Sequence, residues 1–246
     1  MPQLRQIFAN LEASFYEMIK ELPEKPKAIV IISGHWEADE VRVMTSDAPP
    51  MEYDYFGFPP ETYEIKYTSP GAPELADRIL GMMESAGISA KADPKQGYDH
   101  GTFVPAYIMY PEAEVPLIQI SMLQSYDPAA HFEIGRALAP LRDEGVLIIG
   151  SGLSYHNMQK MNPEAKIPSA QFDAWLGEAL AKDPDARTAD LMNWEMAPSA
   201  RECHVKEDHL VPIFVALGAA EDAKATRVYH EDNLLGGITA SSYRFD

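Results

Sequence analysis

Seven histidines and one cysteine are the residues of this chain most able to hold a metal or move a proton. His35 stands in "SGHWE", His156 in "IIGSGLSYHN", His100 in "GYDHGTFVP", and His204 and His209 in "CHVKEDHLVP". His35 and His156 follow apolar runs that read as strands, and His100 and His209 stand where helices are expected to start. Four of the seven histidines therefore fall at element ends rather than on solvated helix faces. Imidazole titrates near neutral pH and is the commonest side-chain metal ligand, so such a group suits general acid/base work or a divalent centre with open positions. Each histidine alone is better read as a hydrogen-bonded structural residue, and H-E-x-x-H and the other local zinc signatures are missing. His131, on an expected surface helix, and His230, in a polar run, read as ordinary. Cys203 has no partner for a disulfide within the chain and cannot build a thiolate zinc cage, which points to a reducing compartment.

Composition sets the outer limits. The chain has 246 residues and a formal net charge of −18. That charge argues against nucleic acid, which needs clustered Lys and Arg, and against an anionic membrane surface. The first residues lack the apolar core of a signal peptide, and no stretch approaches the roughly 20 apolar residues of a spanning helix. A cytoplasmic protein is expected, and its acidity is compatible with a monomer or a homodimer.

The elements that must position the histidines follow from periodicity. "KAIVIIS" (27–33), "VPLIQISM" (115–122) and "GVLIIGS" (145–151) are continuous apolar runs and read as buried strands. "EVRVMTS" (40–46) and "YEIKYT" (63–68) alternate and read as edge or second-layer strands. A stripe of Leu4, Ile7, Phe8, Leu11, Phe15 and Ile19 predicts a helix near the start. Further helices are expected over 72–87, 127–145, 169–182 and 206–220, with Asp127 as an N-cap and Gly145 as a C-terminal glycine. Strands alternating with helices imply an α/β fold with a central mixed sheet flanked by helices. No repeat or domain boundary is visible, so residues 1–246 read as one domain. The segment "MEYDYFGFPP" (51–60) reads as a pocket cover or as surface packing, which leaves Tyr53, Tyr55 and Phe56 either lining a slot or packing on the outside.

The pieces "KAIVIISGHWE", "YDYFGFPPETYEIKY", "PGAPELA", "DHGTFVPAYIMYPEAEVPLIQIS", "IGRALAPLRDEGVLIIGSG" followed by "HN", "FDAWL", "EDHLVPIFVALGAA" and "YRF" occur in order. Together they resemble the DODA-type extradiol aromatic ring-opening dioxygenases, the class III extradiol group related to protocatechuate 4,5-dioxygenase. The resemblance runs from about residue 25 to 245. It implies a single α/β domain with a metal at the sheet rim. It implies non-haem Fe(II)-dependent insertion of O2 into a catechol, DOPA-like or other, with Zn(II) also able to occupy the metal site. It makes His35 and His209 metal ligands, His156 the acid/base histidine and His100 a pocket histidine that helps hold catecholate or oxygen. Tyr55 and Tyr243 become substrate-binding candidates, although Tyr243 also reads as a core anchor. The family opens with a short strand and an "SHG" segment whose histidine is a further ligand. This chain begins "MPQLRQIF", at the helix that follows, so that segment is expected to be absent, with weakened metal binding and partial or lost activity. His204, Glu207 and Asp208 are near His209 in sequence, but sequence alone places none of them at a metal. A zinc-dependent hydrolase and a metal-free binding protein on the same fold are the alternatives.

Overall fold

A computed structural model describes residues 7–246. In chain order the longer elements are α1 (Ala9–Lys20), β1 (Ala28–Ala38), β2 (Val41–Met44), α2 (Pro73–Ser85), β3 (Ala90–Asp93), α3 (His100–Met109), β4 (Leu117–Leu123), α4 (Pro128–Leu138) and β5 (Val146–Ser151). They continue with α5 (Lys166–Leu180), α6 (Pro184–Met192), α7 (Pro212–Gly218), β6 (Ala225–Leu234) and β7 (Ile238–Phe245). These elements gather into two compact units. One comprises Pro23–Gly152 with Val211–Ala219; the other comprises Leu153–Leu210, Ala220–Asp246 and the described residues up to Leu22.

The first unit carries a five-stranded sheet of order β3-β2-β4-β1-β5. β1 runs parallel to β4 and β5, and β2 runs parallel to β3 but antiparallel to β4, so the sheet is mixed as expected. Ile29 to Ile32 of β1 are completely buried, because a central strand covered on both faces must be apolar at every position. The alternating run over 40–46 forms β2, which lies inside the sheet between β3 and β4. Its bond to β4 is interrupted early: the Arg42 amide donates to Ser121 Oγ (2.9 Å), and Val43 opposite Ile120 is the one antiparallel register pair. Helices α2, α3 and α7 pack on the sheet strands, and α4 packs on α7.

The α4–α7 contact is backbone-close. A Cβ on Gly135 would stand 2.2 Å from the Val215 carbonyl oxygen, and one on Gly218 would stand 2.3 Å from that of Phe132. Glycine is required at both positions by the approach of the opposite helix. His131, expected on a surface, is fully buried beneath this contact. Its Nε2 accepts from the Leu123 amide (3.0 Å) and its Nδ1 faces the Asp127 carbonyl (2.7 Å), so one ring joins the end of β4 to the start of α4.

The segment 63–68, expected as a strand, is a 3-10 turn (Pro60–Glu64) followed by irregular chain. Tyrosine hydroxyls take the backbone acceptors that a ladder would use. Tyr53 donates to the Ile65 carbonyl (2.5 Å) and Tyr55 to that of Thr62 (2.7 Å).

In the second unit, α1 is shorter than its apolar stripe. Leu11, Phe15 and Ile19 are half-buried, Ile7 and Phe8 are exposed, and Leu4 lies outside the described residues. The unit ends in the antiparallel β6–β7 hairpin, which pairs Leu234 with Ile238 across a turn in which Leu235 and Gly236 take positive φ. This hairpin went unrecognised in the sequence, although Gly236-Gly237 between two alternating runs is a hairpin signature.

Replacing Gly135 with Ala is expected to force α4 from α7 and cost about 1–3 kcal/mol, the usual range for overpacking. Urea unfolding of wild type and G135A checks this; an unchanged midpoint contradicts the close-contact argument.

Candidate active site

His35 lies within β1, not beyond its end. The strand is irregular there: Ile32 pairs with Ile120, yet the next pair along is Glu37 with Met122. Four residues, Ser33 to Trp36, stand against the single Ser121 and form a bulge, the usual device for aiming a side chain off a sheet near a functional site. Inside the bulge the His35 amide donates to Ser33 Oγ (3.2 Å).

Helix α3 brings His100 beside the bulge. Its N-cap is Asp99, which accepts from the Thr102 amide (2.9 Å) and from Gln119 Nε2 of β4. Burial is the largest influence on Asp99 and pushes its carboxyl up to about 6, against hydrogen bonds with Ser33 and Gln119 that pull it down. The next residue, Gly101, has no room for a side chain: a Cβ would lie 2.3 Å from Ser33 Oγ and 3.0 Å from His35 Cδ2. Pro105 lacks the N–H that would bond the Gly101 carbonyl four residues earlier. Ser151 Oγ, at the end of β5, donates to that carbonyl instead (2.6 Å).

The two rings stand 3.9 Å apart between centroids. Between them comes Asp54 from the aromatic segment 51–60. Its oxygens lie 3.2 Å from His35 Nδ1 and 2.9 Å from His100 Nδ1, and the His100 amide donates to it (2.9 Å). Burial raises the Asp54 carboxyl, but donation from the His100 ring and backbone outweighs it, and the group is held below the ordinary carboxylate range. Tyr55 meets His100 edge-on at 5.5 Å while its hydroxyl is committed to Thr62.

A second group occurs in the other unit, with the same composition. The chain after Gly152 pairs with the segment 203–209: the Leu153 amide donates to the His209 carbonyl (2.9 Å) and the His156 amide to that of Cys203 (3.0 Å). These bonds stack His156 on His209 with centroids 3.3 Å apart and planes at 19°. His209 therefore lies in the turn before α7. Asp208 Oδ1 stands 3.0 Å from His209 Nδ1 and 3.6 Å from His156 Nδ1, and it accepts from the His209 amide (2.8 Å). Burial raises this carboxyl too, yet hydrogen bonding and charge from His156 and His209 hold it far below the usual range.

His204 sits beneath this second group and is wholly buried, not a solvated loop residue. Nε2 lies 3.0 Å from the Ser154 carbonyl, and Phe172 and Trp194 meet the ring edge-on. Since a carbonyl only accepts, Nε2 carries the proton. Burial pushes the ring down to about 4. His230, on β6, has Nδ1 2.9 Å from Ser241 Oγ. Tyr243, on β7, is half-buried beside Gly177 and lines a groove of about 380 Å³ with Arg227, Glu178 and Ala174.

The structure thus brings His35 together with His100, and His156 with His209, and each pair is completed by an aspartate. Asp208 was noted only as a neighbour in sequence and Asp54 not at all. The available signal for Asp54 was an acid set between two tyrosines inside an aromatic, proline-rich segment. In each trio one ligand atom per residue lies within 4.8 Å of the others, so two imidazoles and a carboxylate can converge on one ion. That mixed N/O donor set suits a divalent transition metal, and the residues present therefore fit a metal cofactor.

The family described as the catalytic LigB subunit of aromatic ring-opening dioxygenase matches residues 3–246. "4,5-DOPA dioxygenase extradiol" of Beta vulgaris is 41% identical over 236 residues, covering 92% of this chain and 85% of the relative. The protein of the same description from Portulaca grandiflora is 37% identical, covering 91% and 83%. The crystal structure of an uncharacterized Escherichia coli K12 protein superimposes with a TM-score of 0.78 at 27% identity, covering 94% of this chain and 91% of that one. The chain belongs to this ring-opening family, as a DODA-type extradiol ring-cleavage dioxygenase. No helix among the described residues is long and apolar enough to cross a membrane.

The His204 shift makes a pH prediction. Its ordinary value is 6.5, and the folded ring resists a proton that the unfolded chain accepts. Stability from this residue is therefore complete above about 6.5 and lost as pH falls towards about 4. The loss is about 3 kcal/mol at 1.36 kcal/mol per pH unit. Asp99, pushed up to about 6, gives the opposite slope, so the comparison must be with a variant. His204→Gln is expected to reduce the fall in urea midpoint between pH 7 and pH 4; an identical fall in both proteins rules this out.

Proposed function

We propose that the protein is a non-haem Fe(II) extradiol dioxygenase that opens a catechol ring, DOPA-like or related, with O2, the chain acting as one catalytic domain. The observation that carries this reading is the pairing of imidazoles through aspartates in a chain of this family. The relatives named for 4,5-DOPA support a catechol bearing a polar side chain. The acidity of the chain and its single cysteine support a cytoplasmic setting. Zn(II) is compatible with the same nitrogen and oxygen donors.

His35 and His209 are assigned as metal ligands. Bound Fe(II) would supply Lewis acidity that lowers the catechol pKa and a centre at which diol and O2 meet. The remaining work falls to side chains of this chain. His156 takes the proton of the second catechol hydroxyl and later returns it. Its Nδ1 faces Asp208 across 3.6 Å, which favours Nε2 as the nitrogen that exchanges that proton. His100, held by Asp54 through ring and backbone, presents a fixed polar group to the catecholate. Tyr55, whose hydroxyl is tied back to Thr62, offers ring surface beside His100. Tyr243 is kept as a substrate-binding candidate on the family resemblance alone, because the groove it lines contains none of the four histidines.

The test is anaerobic loading with Fe(II), then catechol and air. A yellow semialdehyde product is expected, and iron-loaded protein that forms none overturns the reading. His156→Gln is expected to retain iron and catechol binding while ring opening falls about 10²- to 10⁴-fold, the typical worth of general acid/base catalysis. An active H156Q removes that residue from the mechanism.

A further inference from the structure

We propose that Asp54 is a positioning residue that fixes the tautomers of His35 and His100 and ties them to the aromatic segment 51–65. The proposal rests on the reading of His35 as a metal ligand and His100 as a pocket group.

Asp54 faces the same ring atom on both histidines. Its Oδ2 is 3.2 Å from His35 Nδ1, and both of its oxygens are 2.9 Å from His100 Nδ1. An ionised carboxylate only accepts, so the hydrogen-bonded His100 ring is driven to carry its proton on Nδ1, and the carboxylate 3.2 Å from His35 Nδ1 favours the same placement there. A neutral imidazole protonated on Nδ1 carries its lone pair on Nε2. Asp54 thereby makes Nε2 the donor atom of His35 and the acceptor atom of His100. The negative charge beside each ring also strengthens that lone pair, the usual effect of a carboxylate behind a ligating histidine.

The geometry leaves little freedom for another arrangement. The rings stand 3.9 Å apart at 50°, and α3 passes close to both: a Cβ on Gly101 would lie 3.0 Å from His35 Cδ2. The His100 amide donates to the same carboxylate oxygen, which locks Asp54 to the first turn of α3 (2.9 Å). Asp54 is in turn held by its neighbours in sequence: Tyr53 is bonded to Ile65 and Tyr55 to Thr62. The carboxylate that orients the imidazoles and the tyrosine ring beside His100 are consecutive residues of one pinned segment. Movement of that segment would disturb the metal donor and the substrate wall together.

The experiment uses the full chain, metal-free and labelled with 15N-histidine. Long-range 1H–15N correlation reads the tautomer of each ring, with H35Q and H100Q identifying the two signals. The wild type is expected to show Nδ1–H on both. In Asp54→Asn the side chain offers one accepting and one donating edge, so at least one ring is expected to change to Nε2–H. Zn(II) affinity of the apo-protein, measured by chelator competition, is expected to fall about 10- to 100-fold in D54N, the range for loss of a group behind a ligand, and to be partly restored in D54E.

Nε2–H on either ring of the wild type overturns the proposal without any variant, as does a D54N spectrum with both tautomers unchanged. Complete loss of Zn(II) binding with unchanged tautomers overturns it in favour of Asp54 as a direct ligand. Wild type that opens no catechol while the tautomers and affinity move as stated removes the functional reading and leaves the positioning role standing.

Discussion

An ionised carboxylate drawn partly out of water must be matched by donors, and here that requirement organises the chemistry. Asp54 and Asp208 each sit between two imidazoles and accept a backbone amide as well. Burial alone would push both groups towards protonation, but their donors prevail. The match works in both directions, because a histidine facing a carboxylate through Nδ1 has its proton fixed there and its lone pair fixed on Nε2. His100 is hydrogen-bonded to Asp54 through its ring, and His35, His156 and His209 each stand within 3.6 Å of one of the two acids.

Holding those partners in place takes specific backbone features. The bulge in β1 turns His35 outward just after a run that is buried from Ala28 to Gly34. Gly101 lets α3 approach that bulge, and Pro105 frees the Gly101 carbonyl for Ser151. In the other unit, amide donation from Leu153 and His156 to the segment 203–209 stacks His156 on His209. The buried His204, neutral and bonded to Ser154, fills the space beneath.

Much of the architecture was legible in the chain. The apolar runs around Ile29–Ile32, Leu117–Met122 and Val146–Ile149 became the three neighbouring strands β4-β1-β5, although β5, expected to be buried, lies at the sheet edge and is only half-buried beyond Val146. Asp127 caps α4 and Gly145 has positive φ, as expected. Expectations failed where side chains altered the backbone's usual partners. The alternation in "YEIKYT" describes a strand, but Tyr53 and Tyr55 claim the carbonyls it would pair. His131 was expected on a surface, but it stands three and four residues before the buried Ile134 and Gly135 on the inner stripe of α4, and both of its nitrogens face the main chain of β4 and α4.

By itself the sequence determined the class of fold and the family, because apolar periodicity and short motifs are properties of neighbouring residues. It left the acids unassigned. Asp54 is 19 residues from His35 and 46 from His100 along the chain, and its place between two tyrosines is a weak mark among the 38 acidic residues. Its role exists only once β1, α3 and the aromatic segment meet. The proton positions on the imidazoles depend on angles and distances of tenths of an ångström, and only tertiary packing sets those.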